Sequence, residues 1–527
     1  MKKFFTFLMM SLFAVGTMMA TWVPSDTEAI RLDKEGNDGQ VQMKTIRTPE
    51  GKIILSWLRP QLTDGVFAYK LYLQIFDANG NPMFGEEGLT ISDKPTRTWT
   101  TDYALAMASN GDILLGYTDI RNDVEYGEEA EVYLYRYTQE GEPVWDADGI
   151  LFPSVNINEG TFSAEDVNPV MCVSGDNIFV AVNRTEYFGG MASAWQMYRF
   201  NGDGTLATPE PKVFNSKIVV MKPATEGNIY CIYDNEDLGM DAQLLDGNLA
   251  NLWNDPITIE ERQVSNGRYM PTPLTELDNE GGLFLSYRVL NSFTGFQVVS
   301  HLTPNGIDMP EIPSCNGSED GDAGSAAMGV KDDLAFVAWE YSFGTMFMNV
   351  NVLNSVGDYC WPDDFRYGRS IDENSMWGFT PVKVIPQADG WVLLYGNLTS
   401  WNGASFMVVK FDEIGNIVWT KQICHDEFKS SGFSVVYDEC NAYIFYTQEG
   451  DYDENWEIIP GTSGMFVMCV DITGQEHSAV SEVVAGEPVK TEIYTLDGRR
   501  VNEMEPGVNI IRMTDANGNV TSRKVLK

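Results

Sequence analysis

Histidine is nearly absent: the 527 residues hold three, His301, His425 and His477. None stands at metal-ligand spacing from another, and no G-x-S-x-G elbow accompanies them. They are read as satisfied surface side chains. Cysteine is sparse too, with seven residues at 172, 231, 315, 360, 424, 440 and 469. No C-x-x-C pair occurs, which excludes a zinc or redox motif of that kind. The odd count leaves at least one thiol unpaired in a monomer, and Cys440 and Cys469 are the pair expected to face each other. Cationic residues are few, 35 Lys and Arg against 76 Asp and Glu, a formal charge of −41. A phosphate-binding surface needs clustered Lys and Arg, so nucleic acid is excluded as a partner. Long apolar runs are missing beyond the first twenty residues, so no transmembrane span is expected after them. Helical periodicity is scarce, and no P-loop or dinucleotide fingerprint sits between a strand and a helix.

The N-terminus carries the one apolar stretch. Lys2 and Lys3 precede Phe4 to Met19, and Ala20 offers a small residue for cleavage before Thr21. Thr6, Ser11, Gly16 and Thr17 interrupt the run, which falls short of the roughly 20 residues a spanning helix needs. Residues 1–20 are therefore read as a secretory signal. Aromatic residues are abundant, with 13 Trp, 23 Tyr and 27 Phe, enough for a large core and incompatible with a disordered chain.

An internal repeat organises the rest. In Val41 to Ser92 a strand-like VQMKTI leads through a turn to the apolar IILSW. A polar connection, the alternating YKLYLQIFD, an Asn-Gly turn and a short closing segment follow. Period-two alternation bounded by such turns is the hairpin signature. The order recurs with hairpin glycines at 80, 141, 204, 247, 306, 357, 415 and 474. The interval from Gly80 to Gly474 over seven gaps is about 56 residues per unit, a propeller or solenoid spacing. An aromatic closes the second strand in all units but the third: Trp57, Tyr117, Tyr233, Tyr287, Trp339, Tyr395 and Tyr446. Four short antiparallel strands per unit predict an all-β chain, a β-propeller of eight blades with seven as the alternative. The eighth unit lacks a fourth strand, and Glu28 to Leu32 near the N-terminus lacks a partner. That segment is expected to close the ring. The expected organisation is a signal over 1–20, a propeller over 21–480 and a small C-terminal β-domain over 481–527.

Two resemblances follow from quoted residues. Tyr117-Thr118-Asp119-Ile120-Arg121, Gly141 to Trp145, Phe84-Gly85 and Gly415 to Trp419 resemble the repeats of secreted, surface-directed proteins that carry a type IX secretion tail. The C-terminal residues resemble the sorting domain of the type IX (Por) secretion system. Ile493-Tyr494, Leu496-Asp497-Gly498-Arg499-Arg500-Val501, Pro506-Gly507-Val508-Asn509-Ile510-Ile511 and Lys524-Val525-Leu526-Lys527 carry that likeness. It implies the type IX machinery as a partner, with Gly498, Arg499, Pro506, Gly507, Lys524 and Lys527 in the signal. It also implies a secreted or outer-membrane surface location.

No catalytic constellation stands out. Carboxylates are so plentiful that pairing two into a glycosidase site is uninformative, and the S-x-D-x-G-x-x-W boxes of sialidase propellers are absent. Glu125, Glu128, Glu129 and Glu131 read as a solvated loop. The Gly-to-Trp spacing of Gly141 to Trp145 and Gly415 to Trp419 matches that of quinoprotein repeats, but a Trp docking between blades explains it. Binding is better placed on the connections between second and third strands, because loops carry most recognition. There Asp119, Arg121, Tyr126, Tyr187, Trp401 and Trp456 are candidates for gripping a protein or glycan. Oxygen ligands at Asp234, Asp237, Asp241, Asp451 and Asp453 suit calcium, without EF-hand spacing; no other cofactor is evident. The alternative is a secreted carbohydrate-active enzyme with carboxylates at the central channel.

Overall fold

The computed structural model describes residues 22, 24–34, 40–63, 66–96, 103–122, 130–159, 161, 163–187, 190–235, 239–260, 273–291, 294–313, 322–343, 345–362, 369–375, 378–398, 404–428, 430–448, 463–474, 490–495, 500–501, 508–514 and 520–526. The chain divides into two compact units, 1–474 and 475–527.

In the first unit the repeat becomes eight antiparallel blades, each of four strands labelled a to d. Blade 1 pairs Val41–Arg47, Ile53–Thr63, Val66–Phe76 and Leu89–Thr96, and blade 2 pairs Ala104–Met107, Ile113–Asp119, Glu131–Tyr137 and Ile150–Leu151. Blade 3 comprises Ser163–Ser174, Asn177–Tyr187, Met191–Phe200 and Lys212–Phe214, and blade 5 comprises Leu274–Leu277, Leu283–Asn291, Thr294–Thr303 and Gly306–Pro313. Blades 4, 6 and 7 repeat the order over 218–260, 322–375 and 379–428. Strands a to c of blade 8 are Ser430–Tyr437, Asn441–Gln448 and Gly464–Asp471; its strand d is Ile30–Arg31 from the N-terminus. The ring is an eight-bladed β-propeller, closed as the unpartnered N-terminal segment predicts.

Eight hydrophobic clusters hold it, one at each seam. One joins Leu71, Leu73 and Ile75 of blade 1 to Ile113, Leu115 and Tyr117 of blade 2. The next joins Leu114 and Leu134 of blade 2 to Val180 and Val182 of blade 3. Alternate residues of one strand thus face opposite neighbours, which is why the second strands read as unbroken apolar runs. The last cluster joins Tyr443, Phe445 and Val467 of blade 8 to Ile53, Leu55 and Trp57 of blade 1. The closing aromatics also reach backward. Tyr117 donates its hydroxyl to the Tyr69 carbonyl of blade 1 at 2.8 Å, and Tyr287 donates to Ile259 of blade 4 at 3.2 Å. In blade 3 the closing position is Val182, buried without a polar tip.

A second device repeats at the c–d turns. In blades 1, 2, 6 and 7 the aromatic that follows the turn lies on the turn of the next blade: Phe84 over Gly141, Trp145 over Gly204, Trp361 over Gly415 and Trp419 over Gly474. Trp22 completes the series over Gly80, doing for blade 8 what Trp145 does for blade 2. The Gly-to-Trp spacing is therefore inter-blade packing, as expected. In blade 4 the left-handed turn position falls on Leu249 (φ 64°) rather than on Gly247.

The expected Cys440–Cys469 contact does not form. Cys440 is exposed in an a–b turn and Cys469 is buried at the blade 8–blade 1 seam, so both remain free thiols. The register separates them: Cys469 pairs with Tyr443, three residues beyond Cys440.

The second unit contains one antiparallel sheet ordered Arg500–Val501, Lys490–Thr495, Val508–Thr514 and Val520–Leu526. Lys524 lies on its last strand, opposite Ile510. Gly498, Arg499, Pro506, Gly507 and Lys527 lie outside the described residues.

Candidate functional site: the loop face at blades 2 and 3

Because adjacent strands are antiparallel, the b–c and d–a connections emerge at one end of every blade and the a–b and c–d turns at the other. At the second end the a–b turns never exceed five residues, and in six blades strand c runs into the same kind of tight turn, although the c–d intervals run from 304–305 to 355–368. At the first end, the loop face, both kinds of connection vary. Its b–c intervals run from residue 344 alone to 449–463, and its d–a intervals from 429 alone to 261–273.

Strand b of blade 2 delivers Asp119 to this face, fully buried. Arg121, two residues on, donates from Nε to Asp119 Oδ1 at 3.0 Å and from its terminal nitrogen to Oδ2 at 2.6 Å. The same guanidinium donates to the Asp148 carbonyl at 2.9 Å and the Tyr135 hydroxyl at 3.0 Å. It also lies 3.4 Å from the Tyr133 ring centroid. Burial raises the Asp119 carboxyl above its ordinary range, against the lowering effect of Arg121. Burial and the neighbouring Glu131 push the Tyr133 hydroxyl to about 12. The Asp-Arg pair is thus a self-satisfied clamp that ties the b–c connection to strand c. A related clamp in blade 1 escaped the sequence reading: Arg59 lies 4.0 Å from the Tyr72 ring and bridges to Glu87 at 2.6 Å. Tyr72 and Tyr133 share a register, but Arg59 stands where blade 2 has Asp119, so no Asp-Arg motif marks it.

Across the seam, strand a of blade 3 supplies Asp166 and strand b supplies Arg184 and Glu186. Arg184 donates to both Asp166 oxygens at 3.2 Å, to Glu186 at 2.8 Å and to Asn156 at 2.7 Å. Glu186 accepts from the backbone N–H groups of Ile157 and Asn158 and from the Thr161 hydroxyl, pinning the blade 2–blade 3 connection. The Asp166 N–H donates to the Ala130 carbonyl at 2.7 Å, joining the two blades. Burial lifts the Asp166 carboxyl to about 6 despite Arg184. Glu186 goes the other way: burial opposes its charge, but Arg184 and its three other donors hold it at about 2.

These directions have opposite consequences for stability. A carboxyl raised above its unfolded value, about 3.9 for Asp, stabilises the fold fully below that value. Its contribution is lost as pH rises through about 6. The depressed Glu186 contributes above about 4.3, and that contribution is lost as pH falls through about 2. Two pKa units correspond to about 3 kcal/mol. Asp166→Asn is therefore expected to abolish about 3 kcal/mol of stabilisation that the unsubstituted chain gains between pH 7 and pH 4. Urea titrations of both proteins across that window measure it, and parallel pH slopes would refute the assignment.

Tyr187 ends strand b of blade 3, half-buried, opposite Ser163 and the exposed Met191. Asp234 ends strand b of blade 4, half-buried with its carboxyl raised by burial. Asp241 is second in the facing strand and accepts from Asn235 at 3.1 Å. Tyr126, Trp401, Trp456, Asp237, Asp451 and Asp453 lie outside the described residues. Among the described residues no three His, Cys, Asp or Glu are grouped to hold a metal. His301 differs from expectation in being buried, 3% exposed, with Nε2 sharing a 2.8 Å hydrogen bond with Asp278 on the opposite face.

No family model and no curated protein matches the chain. Among solved structures it is similar to a puromycin hydrolase (11% identity, TM-score 0.38, covering 82% of this chain and 63% of that one). It is also similar to the polysaccharide lyase Uly1 (8%, 0.40, 88% and 94%). A third is a puromycin-hydrolyzing peptidase of Mycobacterium tuberculosis (10%, 0.42, 82% and 62%). The chain thus spans less than two thirds of the length of the puromycin hydrolase and of the puromycin-hydrolyzing peptidase. At these identities and TM-scores the likenesses bear on no chemistry of this chain.

Proposed function

We propose that the chain is exported and carried across the outer membrane by its C-terminal unit, and that its propeller is a non-catalytic scaffold gripping a protein or a glycan with the loop face. The contrast between the two ends of the ring carries this reading. At one end every a–b connection is short and strand c of six blades enters the same tight turn used for blade packing, while at the other both the b–c and the d–a connections run from a single residue to long intervals, 449–463 and 261–273. Variable connections on a rigid frame are where recognition develops. The ionisable groups at the blade 2–blade 3 seam support binding over chemistry, because Arg121, Arg184, Asp119 and Glu186 are engaged with one another and with backbone.

The test is a glycan and protein array probed with the chain lacking residues 1–20, with and without calcium. Retention of a narrow ligand set, without hydrolysis, is the expected result. Polysaccharide cleavage lost in Asp166→Asn would replace this reading with the carbohydrate-active one. Deleting 481–527 is expected to leave the protein in the periplasm, and undiminished surface delivery would sink the sorting assignment.

A further inference from the structure

On the face opposite the loops, blades 5 and 6 form an open pocket of about 610 Å³, with Glu280, Asp308, Asp332 and Asp333 at its exposed rim. Its charged lining includes Asp278 and Glu280 from the a–b turn of blade 5, Asp308 from strand d, and Asp332 and Asp333 from the a–b turn of blade 6. No Lys or Arg is among its lining residues. Asp278 bonds His301, and Asp332 accepts from Asn279 at 2.8 Å. The space is far larger than a bare ion occupies, and the acids are not grouped as metal ligands.

Blades 2, 3 and 7 show what is missing. Three residues before the closing position of strand b, the residue paired across on strand c is Arg136 in blade 2, Arg199 in blade 3, Lys410 in blade 7 and His301 in blade 5. At the same position blades 1, 4 and 6 carry Ile75, Leu244 and Val352, and blade 8 carries Cys469. Each long cation reaches the a–b end of its own blade: Arg136 to Asp112 at 2.8 Å, Arg199 to Asn177 at 2.8 Å, and Lys410 to Asp389. Arg136 continues to the Gly202 carbonyl, in the c–d turn of the next blade, at 2.6 Å. The residue matching Gly202 in blade 6 is Ser355, second in its turn after Asn354, and Ser355 lines the cavity. The shorter imidazole of His301 stops at Asp278. Its ring lines the cavity, is 3% exposed, and has Nδ1 without a partner. Where blade 2 bridges to its neighbour with a guanidinium, blade 5 leaves a hollow walled by carboxylates.

We propose that this cavity binds an organic cation, the ammonium or guanidinium end of an alkyl chain, free or on a Lys or Arg side chain of a partner. A planar guanidinium matches paired carboxylates in charge and in geometry. The site lies on the face away from the loops and stands independently of the loop-face reading.

Titration calorimetry of the chain lacking residues 1–20 tests it, with agmatine as the free cation, a blocked Gly-Arg-Gly peptide as the side-chain source, and pentylurea as a neutral analogue. Saturable one-to-one binding of agmatine or the peptide, weakened by salt, is expected, with none for pentylurea. The tighter of the two cations identifies the source. Asp332→Asn with Asp333→Asn is expected to weaken binding at least ~10-fold, on the order of one lost charge-assisted contact. His301→Arg supplies an internal guanidinium, as in blade 2, and is expected to weaken binding by a similar factor while raising the melting temperature. Failure of both cations to bind, equal binding of pentylurea, or unchanged affinity in both variants would overturn the proposal.

Discussion

A chain beginning at Lys34 instead of Thr21 is expected to lose the closed ring. Residues 22–33 supply the outer part of blade 8. Ile30 and Arg31 pair with Val467 and Phe466, the Leu32 N–H donates to Met465, and the Ser25 N–H donates to Cys469. Trp22 packs among Phe76, Tyr443 and Phe445, with ring centroids 5.4 to 6.3 Å apart. The backbone N–H of Trp22 donates to the Asn79 carbonyl of blade 1, so the segment touches both sides of the last seam. Arg31 and Asp33 lock its end: Arg31 donates to the Ser463 carbonyl at 2.8 Å, and Asp33 accepts from the Met465 N–H at 3.2 Å and from Gln40 at 2.9 Å. Losing one large aromatic contact and several hydrogen bonds together is worth on the order of 5–8 kcal/mol. The truncation should expose the edge of Gly464–Asp471 and the apolar side of blade 1, and such edges associate. Denaturant unfolding and size-exclusion chromatography report both effects, with Trp22→Ala alone losing about 3 kcal/mol. A truncated monomer with unchanged unfolding would show that the N-terminal strand closes nothing. The segment starts two residues beyond Ala20, so cleavage where the leader is expected to end leaves it whole.

The second large effect is expected at Gly415. Its φ of 87° is left-handed, and a Cβ there would lie 2.6 Å from the Trp361 ring of the preceding blade. Gly415→Ala therefore combines backbone strain with an overlap against a side chain that is itself 4% exposed and packed on Phe336 and Phe411. The combined loss is about 3 kcal/mol. Trp361→Ala should lose about 4 kcal/mol by leaving a cavity at the blade 6–blade 7 seam. In that background Gly415→Ala should cost only the backbone strain, about 1 kcal/mol. A double-mutant cycle then reads about 2 kcal/mol of coupling. Strict additivity would show that the aromatic does not rest on the turn.

The candidate binding residues were legible in the sequence to different depths. Asp119 and Arg121 were found because their motif is local, yet the structure turns both inward, Asp119 onto Arg121 and Arg121 onto Tyr133, Tyr135 and the Asp148 carbonyl. Asp166, Arg184 and Glu186 carried no motif. Asp166 and Arg184 are 18 residues apart on adjacent strands and meet only through the register of blade 3. The acidic cavity was invisible for the same reason on a larger scale: Asp278, Asp308 and Asp332 come from three separate turns and strands of two blades.

The sequence alone determined the ladder of eight units, the four-strand order within each, and the N-terminal closure. Each of these follows from local signals: period-two runs, turn residues and one strand left over at either end. Only the tertiary structure decided what meets across a seam. It placed the aromatics after the turns of blades 1, 2, 6 and 7 on the next blade's glycine, kept Cys440 from Cys469, and left blade 5 a hollow where blade 2 has a guanidinium. Contacts within a blade are set by neighbours in the chain. Contacts between blades join residues about fifty positions apart, and which of them touch depends on how each sheet packs against the next.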